Sequence, residues 1–346
     1  MGQERSVFVS SKVSGTGFSV PDKVIPNSHF ESYLETSDEW IRERTGIEQR
    51  RWVEGETTAS DLAEKAALDA IKNANLTVDD IDGIILATVT PDNIFPSTAA
   101  VLQKKLGVKN GFAYDVNAVC TGFVYALVNA DSLIKNGQAK NILVVGVDIY
   151  SRIIDKDDRG TCVLFGDGAG ALVLSKTADG DSDVIGMPSG VTGSVKEVQG
   201  VYASELRADG AQSDILYCKG GSGSPEVPAE EQFIKMQGRE VFKLAVRSLA
   251  EVSKSVLEKS GLEIGDVSHF VSHQANRRII LGMGKQLGVG EDKVPINVEK
   301  YGNTSAASIP ILLAECDASG RIKPGEVVHI SAFGGGVTWG AVVVRW

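Results

Sequence analysis

Cysteine is scarce in this chain: four in 346 residues, Cys120, Cys162, Cys218 and Cys316, with no CxxC pair. So scattered a set fits neither a disulfide scaffold nor a zinc site, and no metal is expected. Reduced thiols in a cytoplasmic setting fit best, and the sequons at Asn75 and Asn303 then carry no glycosylation signal. Positive charge is also short, with 35 Lys and Arg against 45 Asp and Glu, a formal net charge of −10. Neither nucleic acid nor an anionic membrane is expected as the main partner, because no cationic excess draws phosphates. No apolar run approaches the roughly 18 residues that a bilayer-spanning helix needs. The start, MGQERSVFVSSKVSG, has no signal-peptide layout; Met1-Gly2 with Ser6 matches a myristoylation pattern, without a second anchoring signal. Proline is limited to ten residues, which argues against a Pro-rich segment. What is present is glycine, 38 residues, and an apolar fraction of 42%, the composition of a globular chain with ample core.

The chain repeats itself. Residues 58–92 read as helix, turn and strand: Thr58 stands three before Asp61 as a capping pair, and Leu62, Ala66, Ala67, Ala70, Ile71 and Ala74 recur at helical spacing. The run IDGIILATVT then suits a strand buried on both faces. Residues 240–275 follow the same plan, with Val241, Leu244, Ala245, Ser248, Leu249, Val252 and Val256 as the stripe and HFVSH as the strand. Aligning Asp80-Ile81 with Asp266-Val267 gives an offset of 186. NILVVGVD at 141–148 is echoed by VVHISAF, and GALVLSK at 170–176 by GAVVVRW. A duplicated α/β architecture is expected, with halves at 1–177 and 178–346. The second begins with an irregular Gly-, Ser- and acid-rich segment over 178–235.

Four places carry residues suited to chemistry. Cys120, in DVNAVCTGFVYALV, falls between a strand-like run and an all-apolar, buried helix. A helix N-terminus favours a thiolate nucleophile there; an inert buried thiol is the alternative. His273, in VSHQANRR, ends a strand and suits either an acid/base or a structural role. Asn303, in KYGNTSAASIPILL, occupies the matching junction of the second half, as a partner across a shared centre or as a helix cap. Gly334, Gly335 and Gly336 follow a strand and leave backbone N–H groups open for an oxyanion, or form a hairpin turn. FGDGAGA is their first-half counterpart; it is not GxGxxG, so no dinucleotide site is read.

DVNAVCTGF, FGDGAGA, HQANRR, YGNTSAAS and FGGGVTWG, in this order, together with TSDEWIRERTGIEQRRW, resemble the β-ketoacyl-acyl carrier protein synthase III family over roughly residues 10–346. The resemblance implies a thiolase-like fold of two βαβαβαββ halves, layered α-β-α-β-α. It implies a homodimeric condensing enzyme that moves an acyl primer, acetyl by default, from acyl-CoA to Cys120. Decarboxylative condensation with malonyl-acyl carrier protein would follow at Cys120, His273 and Asn303. CoA is then a substrate, and no cofactor is required.

By motif, the resemblance assigns oxyanion binding to the backbone of Cys120 and Gly335, and CoA contacts to Trp40, Arg44, Thr45, Arg159, Gly238 and Asn276. It assigns the acyl pocket to Phe95, Phe165 and Phe333, Phe95 reaching across the dimer, and carrier docking to Lys243, Arg278 and Lys285. The chain departs from the family by some twenty extra residues between Phe165 and Gly238, in MPSGVTGSVKEVQGVY and KGGSGSPEVPAEEQ, where the family shapes its pocket. Two alternatives are a relative in secondary metabolism using another acyl donor and a silent acyl-CoA or carrier-binding scaffold; a cysteine protease fits least.

Overall fold

The uninterrupted apolar runs of the sequence fold as strands. A computed structural model describes residues 10–177, 199–221 and 226–346. β1 (Ser11–Ser19), β2 (Gly83–Ala87), β3 (Phe112–Val116), β4 (Asn141–Ile149) and β5 (Asp167–Lys176) form one sheet in the order β1-β5-β4-β2-β3. β4, β2 and the edge strand β3 run parallel, and β5 is antiparallel to both neighbours. β6 (Gly200–Ala208), β7 (His269–Ser272), β8 (Val327–Gly334) and β9 (Thr338–Arg345) form a second sheet, ordered β7-β8-β9-β6.

Helices layer these sheets. They are α1 (Asp38–Thr45), α2 (Ala59–Asn73), α3 (Thr98–Leu106), α4 (Gly122–Lys135), α5 (Gly238–Ser260), α6 (Arg277–Leu287) and α7 (Ser308–Ala318). α2 and α3 cover the outer face of the first sheet, and α5 and α6 that of the second. α4 and α7 lie between the sheets, where Phe123, Leu127, Ile309 and Leu313 pack among strand residues of both. Their apolar character all round is what a middle layer requires, because no face meets water. Each large apolar side chain buried there contributes about 2 kcal/mol. The expected α/β fold in five layers is thus observed. The α2 start is the expected capping box: Thr58 N–H donates to Asp61 Oδ2 at 2.8 Å, and Asp61 N–H to Thr58 Oγ1 at 3.3 Å.

The 186-residue echo holds in three dimensions for β2 with β7, β4 with β8 and α4 with α7. It breaks in two places. The stretch that corresponds to β3 is a short helical turn, Val298–Tyr301, whose Glu299 carbonyl accepts the Glu48 N–H at 3.0 Å. It packs against the N-terminal hairpin, the antiparallel pair Val24–Pro26 and Gln49–Arg51, so among the described residues the second sheet has four strands. The connection from β4 to β5 spans 150–166, whereas β8 and β9 join through a tight glycine hairpin. At Gly146 of β4 a Cβ would collide with the Ala306 carbonyl oxygen, so the turn before α7 rests directly on the first sheet. The MPSGVTGSVKEVQGVY and KGGSGSPEVPAEEQ segments lie partly outside the described residues. No helix among the described residues is long and apolar enough to cross a membrane.

Candidate active site

After β3 the chain turns through Val119–Thr121 into α4. Val119 has φ of +49°, a strained value for a β-branched residue. The turn seats Cys120 at the first turn of α4, 4% exposed, in the wall of a cavity of about 1640 Å³. The second half repeats the device 186 residues on: Ser305 has φ of +50°, and Ser305–Ala307 leads into α7. Asn303 and His273 line the same cavity as Cys120, so the three are brought together.

Each of these groups is held by neighbours. His273 Nδ1 lies 2.6 Å from Ser308 Oγ, which also accepts the Gln274 N–H at 3.2 Å. A Ser308 hydroxyl that donates to Nδ1 puts the ring proton on Nε2. Nε2 has no partner among the described residues. Burial pushes the imidazole down to about 3, so the ring is neutral. Asn303 Oδ1 accepts the Ser305 N–H at 2.8 Å, which turns its amide N–H group to the cavity. Its backbone is clamped as well, to Leu164 O at 2.8 Å and Gly166 N at 3.0 Å.

Burial pushes the Cys120 thiol up to about 12; Ser305, with Oγ 3.5 Å from Sγ, pulls it back, and the nearby Asp148 adds to the rise. Burial thus opposes the thiolate that the helix N-terminus favours. A Cβ at Gly334 would stand 2.9 Å from the Cys120 N, so the loop after β8 lies on the nucleophile's own backbone. Gly334 lines the cavity; Gly335 is the buried residue behind it.

Trp40, Arg44, Thr45, Arg159, Gly238 and Asn276 all line the cavity. The Arg159 guanidinium stands 4.7 Å above the Trp40 ring and donates to Glu35 O at 2.5 Å. Two stacking gaps need about 7 Å, so a flat base enters this pair only if Arg159 swings aside. The Thr45 hydroxyl is saturated inside the fold, donating to Ile41 O at 2.6 Å and accepting from Ile47 N at 2.9 Å. Asn276 caps α6 through Arg278 N at 2.8 Å and ties down Arg44 O at 3.0 Å. Lys243 and Arg278 line the mouth, Lys243 paired with Glu240 at 2.9 Å; Lys285 is exposed beyond it. Phe165 and Phe333 line the interior, with Phe165 stacked on Tyr150 at 4.6 Å. Phe95 does not line this chain's cavity; it is 84% exposed beside Ile94, 78% exposed at the rim.

Sequence reading missed Asp148, Tyr150, Ser305, Ser308 and Arg50. Asp148 alone left a signal, as the one charge in the apolar strand NILVVGVDI. Arg50 is fully buried without a carboxylate and donates to Ile25 O, Asn27 Oδ1 and Val163 O, tying the N-terminal hairpin to the segment that clamps Asn303.

Comparison with known proteins gives a consistent result. The family described as 3-oxoacyl-[acyl-carrier-protein (ACP)] synthase III matches residues 114–193, and its C-terminal region matches 257–346. A β-ketoacyl-[acyl-carrier-protein] synthase III from Agrobacterium fabrum is 49% identical over 340 residues, covering 98% of this chain and 100% of its own. One from Cereibacter sphaeroides is 48% identical over 339 residues, covering 98% and 99%. The crystal structure of 3-oxoacyl-[acyl-carrier-protein] synthase III from Aquifex aeolicus superposes with a TM-score of 0.86 at 43% identity, covering 97% of this chain and 100% of that one.

Proposed function

The chain belongs to the 3-oxoacyl-[acyl-carrier-protein] synthase III family, and on that premise we propose how its cavity works. The protein is a condensing acyltransferase that initiates fatty acid synthesis from CoA and carrier-protein thioesters. Acetyl-CoA is the primer. It enters past Trp40, Arg44 and Arg159, with Gly238 and Asn276 along the pantetheine path and Thr45 holding the end of α1 in place. The Cys120 sulfur attacks the thioester carbonyl, and backbone N–H groups of Cys120 and the Gly334-Gly335 loop hold the oxyanion. CoA leaves, and the acetyl group stays on sulfur.

Malonyl-acyl carrier protein follows, docked by Lys243, Arg278 and Lys285, a basic face on an otherwise acidic molecule. Its thioester oxygen lies between His273 Nε2–H and the Asn303 amide. A neutral imidazole fits this role: it donates a proton-bearing nitrogen without burying a cation. Loss of CO₂ leaves an enolate whose charge the two donors stabilise, and its carbon attacks the acetyl thioester on Cys120. Phe165 and Phe333 shape the acyl pocket, and Phe95 completes that of a second copy across a homodimer. The exposed apolar pair Ile94 and Phe95 supports this assembly. The halves divide at 177/178, and the enzyme acts in the cytoplasm.

The observation that carries the reading is one cavity lined by Cys120, His273 and Asn303 together. The test is intact-protein mass spectrometry after acetyl-CoA, then after malonyl-acyl carrier protein. One acetyl gained at Cys120 and then discharged as a β-ketoacyl product is expected. No gain turns the reading to a silent binding scaffold, and preference for another acyl-CoA turns it to a specialised relative.

A further inference from the structure

Asn303 reaches the cavity from an irregular stretch between the turn Val298–Tyr301 and the turn Ser305–Ala307. Its backbone is pinned by residues 164–166, through Leu164 O at 2.8 Å and Gly166 N at 3.0 Å, with a single parallel bridge between Phe165 and Asn303. Those residues belong to the long connection between β4 and β5, so their own place must be set from elsewhere. We propose that Arg50 is a positioning residue for decarboxylation: it seats residues 163–166 and, through them, the Asn303 amide that meets the malonyl thioester. This rests on the reading of Asn303 as a donor to that thioester oxygen.

The contacts run in one chain. Arg50 is fully buried on the strand Gln49–Arg51. Its Nη1 donates to Ile25 O at 3.0 Å and Asn27 Oδ1 at 2.9 Å, which anchors the guanidinium on the N-terminal hairpin. Its Nη2 donates to Val163 O at 2.5 Å, and the group lies 4.6 Å over the buried Phe30 ring. Trp52, one residue past the strand, adds a second tie, its Nε1–H donating to Phe165 O at 3.1 Å. The stem of Arg50 is placed as tightly as its head. A Cβ at Gly166 or at Gly302 would stand 3.1 Å from the Arg50 Cβ, so this side chain fills the point where the two clamped stretches meet.

A buried cation is costly to desolvate, and these acceptors include no carboxylate to offset it. What the guanidinium adds over a neutral side chain is a rigid planar fork, which ties acceptors on two separate stretches at fixed spacing. Cys120 depends on none of this. It is carried by β3, α4 and the Gly334 loop, to which Arg50 donates no hydrogen bond. The two half-reactions therefore separate.

Arg50→Met keeps the stem and removes the fork. Arg50→Lys keeps the charge and part of the donation, and it carries the test where Arg50→Met fails to fold by circular dichroism. Arg50→Met is expected to slow CO₂ release from malonyl-acyl carrier protein about 30-fold in kcat, with KM and the rate of acetyl uptake at Cys120 within about twofold of wild type. Arg50→Lys is expected to fall between the two. In an Asn303→Ala background the Arg50 substitutions are expected to add no further slowing, because the residue they act through is gone. Equal slowing of both half-reactions, or full multiplication of the two effects in the double variant, overturns the proposal. Backbone hydrogen exchange at Gly166 and Asn303, read by mass spectrometry, needs no substrate. Exchange about tenfold faster at these two amides, with α4 unchanged, is expected, and unchanged exchange overturns the proposal. A wild-type protein that neither takes up acetyl nor releases CO₂ overturns the function; faster exchange confined to those amides in the variants then still supports Arg50 as the seat of Asn303.

Discussion

The two halves of the molecule share a strained turn into a buried helix and equip it in opposite ways. In the first half the turn presents Cys120; the position 186 residues on is Ala306. His273 ends a strand of the second half; its first-half counterpart is Ala87. At Cys120 and His273 the other half therefore carries alanine, whereas Asn303 has an asparagine, Asn117, as its counterpart. Ala87 and Ala306 are both buried, and a Cβ at Gly122 would stand 3.0 Å and 3.7 Å from their methyl groups. Duplication supplies two equivalent junctions pressed together, but close packing there leaves room for one set of functional side chains. The long 150–166 connection of the first half brings Arg159 and Phe165 to the cavity, while the glycine hairpin of the second brings bare backbone.

The strongest way to break this comparison is to move the sulfur. Cys120→Ala is expected to abolish acetyl uptake, read as loss of the mass gain, and Ala306→Cys in that background is expected not to restore it. Restored uptake would mean that the two junctions are interchangeable. Next, Asn303→Ala is expected to slow malonyl decarboxylation about 100-fold while leaving Cys120 acylation nearly intact. Equal loss of both half-reactions would erase the division of labour between halves.

A smaller effect separates the halves by stability. His273 and His329, both in the second, are fully buried and held at about 3 by desolvation, against an ordinary 6.5. Below 6.5 the unfolded chain takes up protons that the folded one refuses, so stability falls as pH drops from 6.5 towards 3. The loss is about 2 kcal/mol for each histidine at pH 5. His329, whose ring nitrogens have no partner among the described residues, makes the cleaner test. His329→Leu is expected to flatten the pH 5–7 dependence of the urea midpoint by about half; an unchanged slope would refute a neutral buried ring. The smallest expected effect is at the cavity mouth. Trp40→Ala should raise KM for acetyl-CoA about tenfold with kcat little changed, since stacking contributes about 1 to 2 kcal/mol.

The layers were legible because they depend on runs of apolar residues. GFVYALV and SIPILLAEC announce buried helices, and NILVVGVDI a buried strand, whatever their neighbours. Cys120, His273 and Asn303 were legible as strand and helix ends carrying reactive side chains. What escaped depends on tertiary contact. Ser305 sits in a run of small residues that reads as helix start, and only the fold brings its hydroxyl to the sulfur from a position 185 residues away. Ser308 reads as another small residue of the same run, yet its hydroxyl lies 2.6 Å from His273 Nδ1. The missing fifth strand was illegible too: the stretch after Asn297 gives up sheet pairing to brace the hairpin around Glu48. The desolvation that opposes a Cys120 thiolate escaped for a related reason, since a helix end is visible in sequence and the depth of its burial is not.

Gly146 gives the seam between the halves an unusual kind of gauge. The closeness of the Ala306 turn to the first sheet depends on the absence of one carbon. A methyl group there would act as a shim against the opposite turn, on the stretch of chain that carries Asn303 and Ser305. The seating of this centre thus depends on a residue that takes no part in the chemistry.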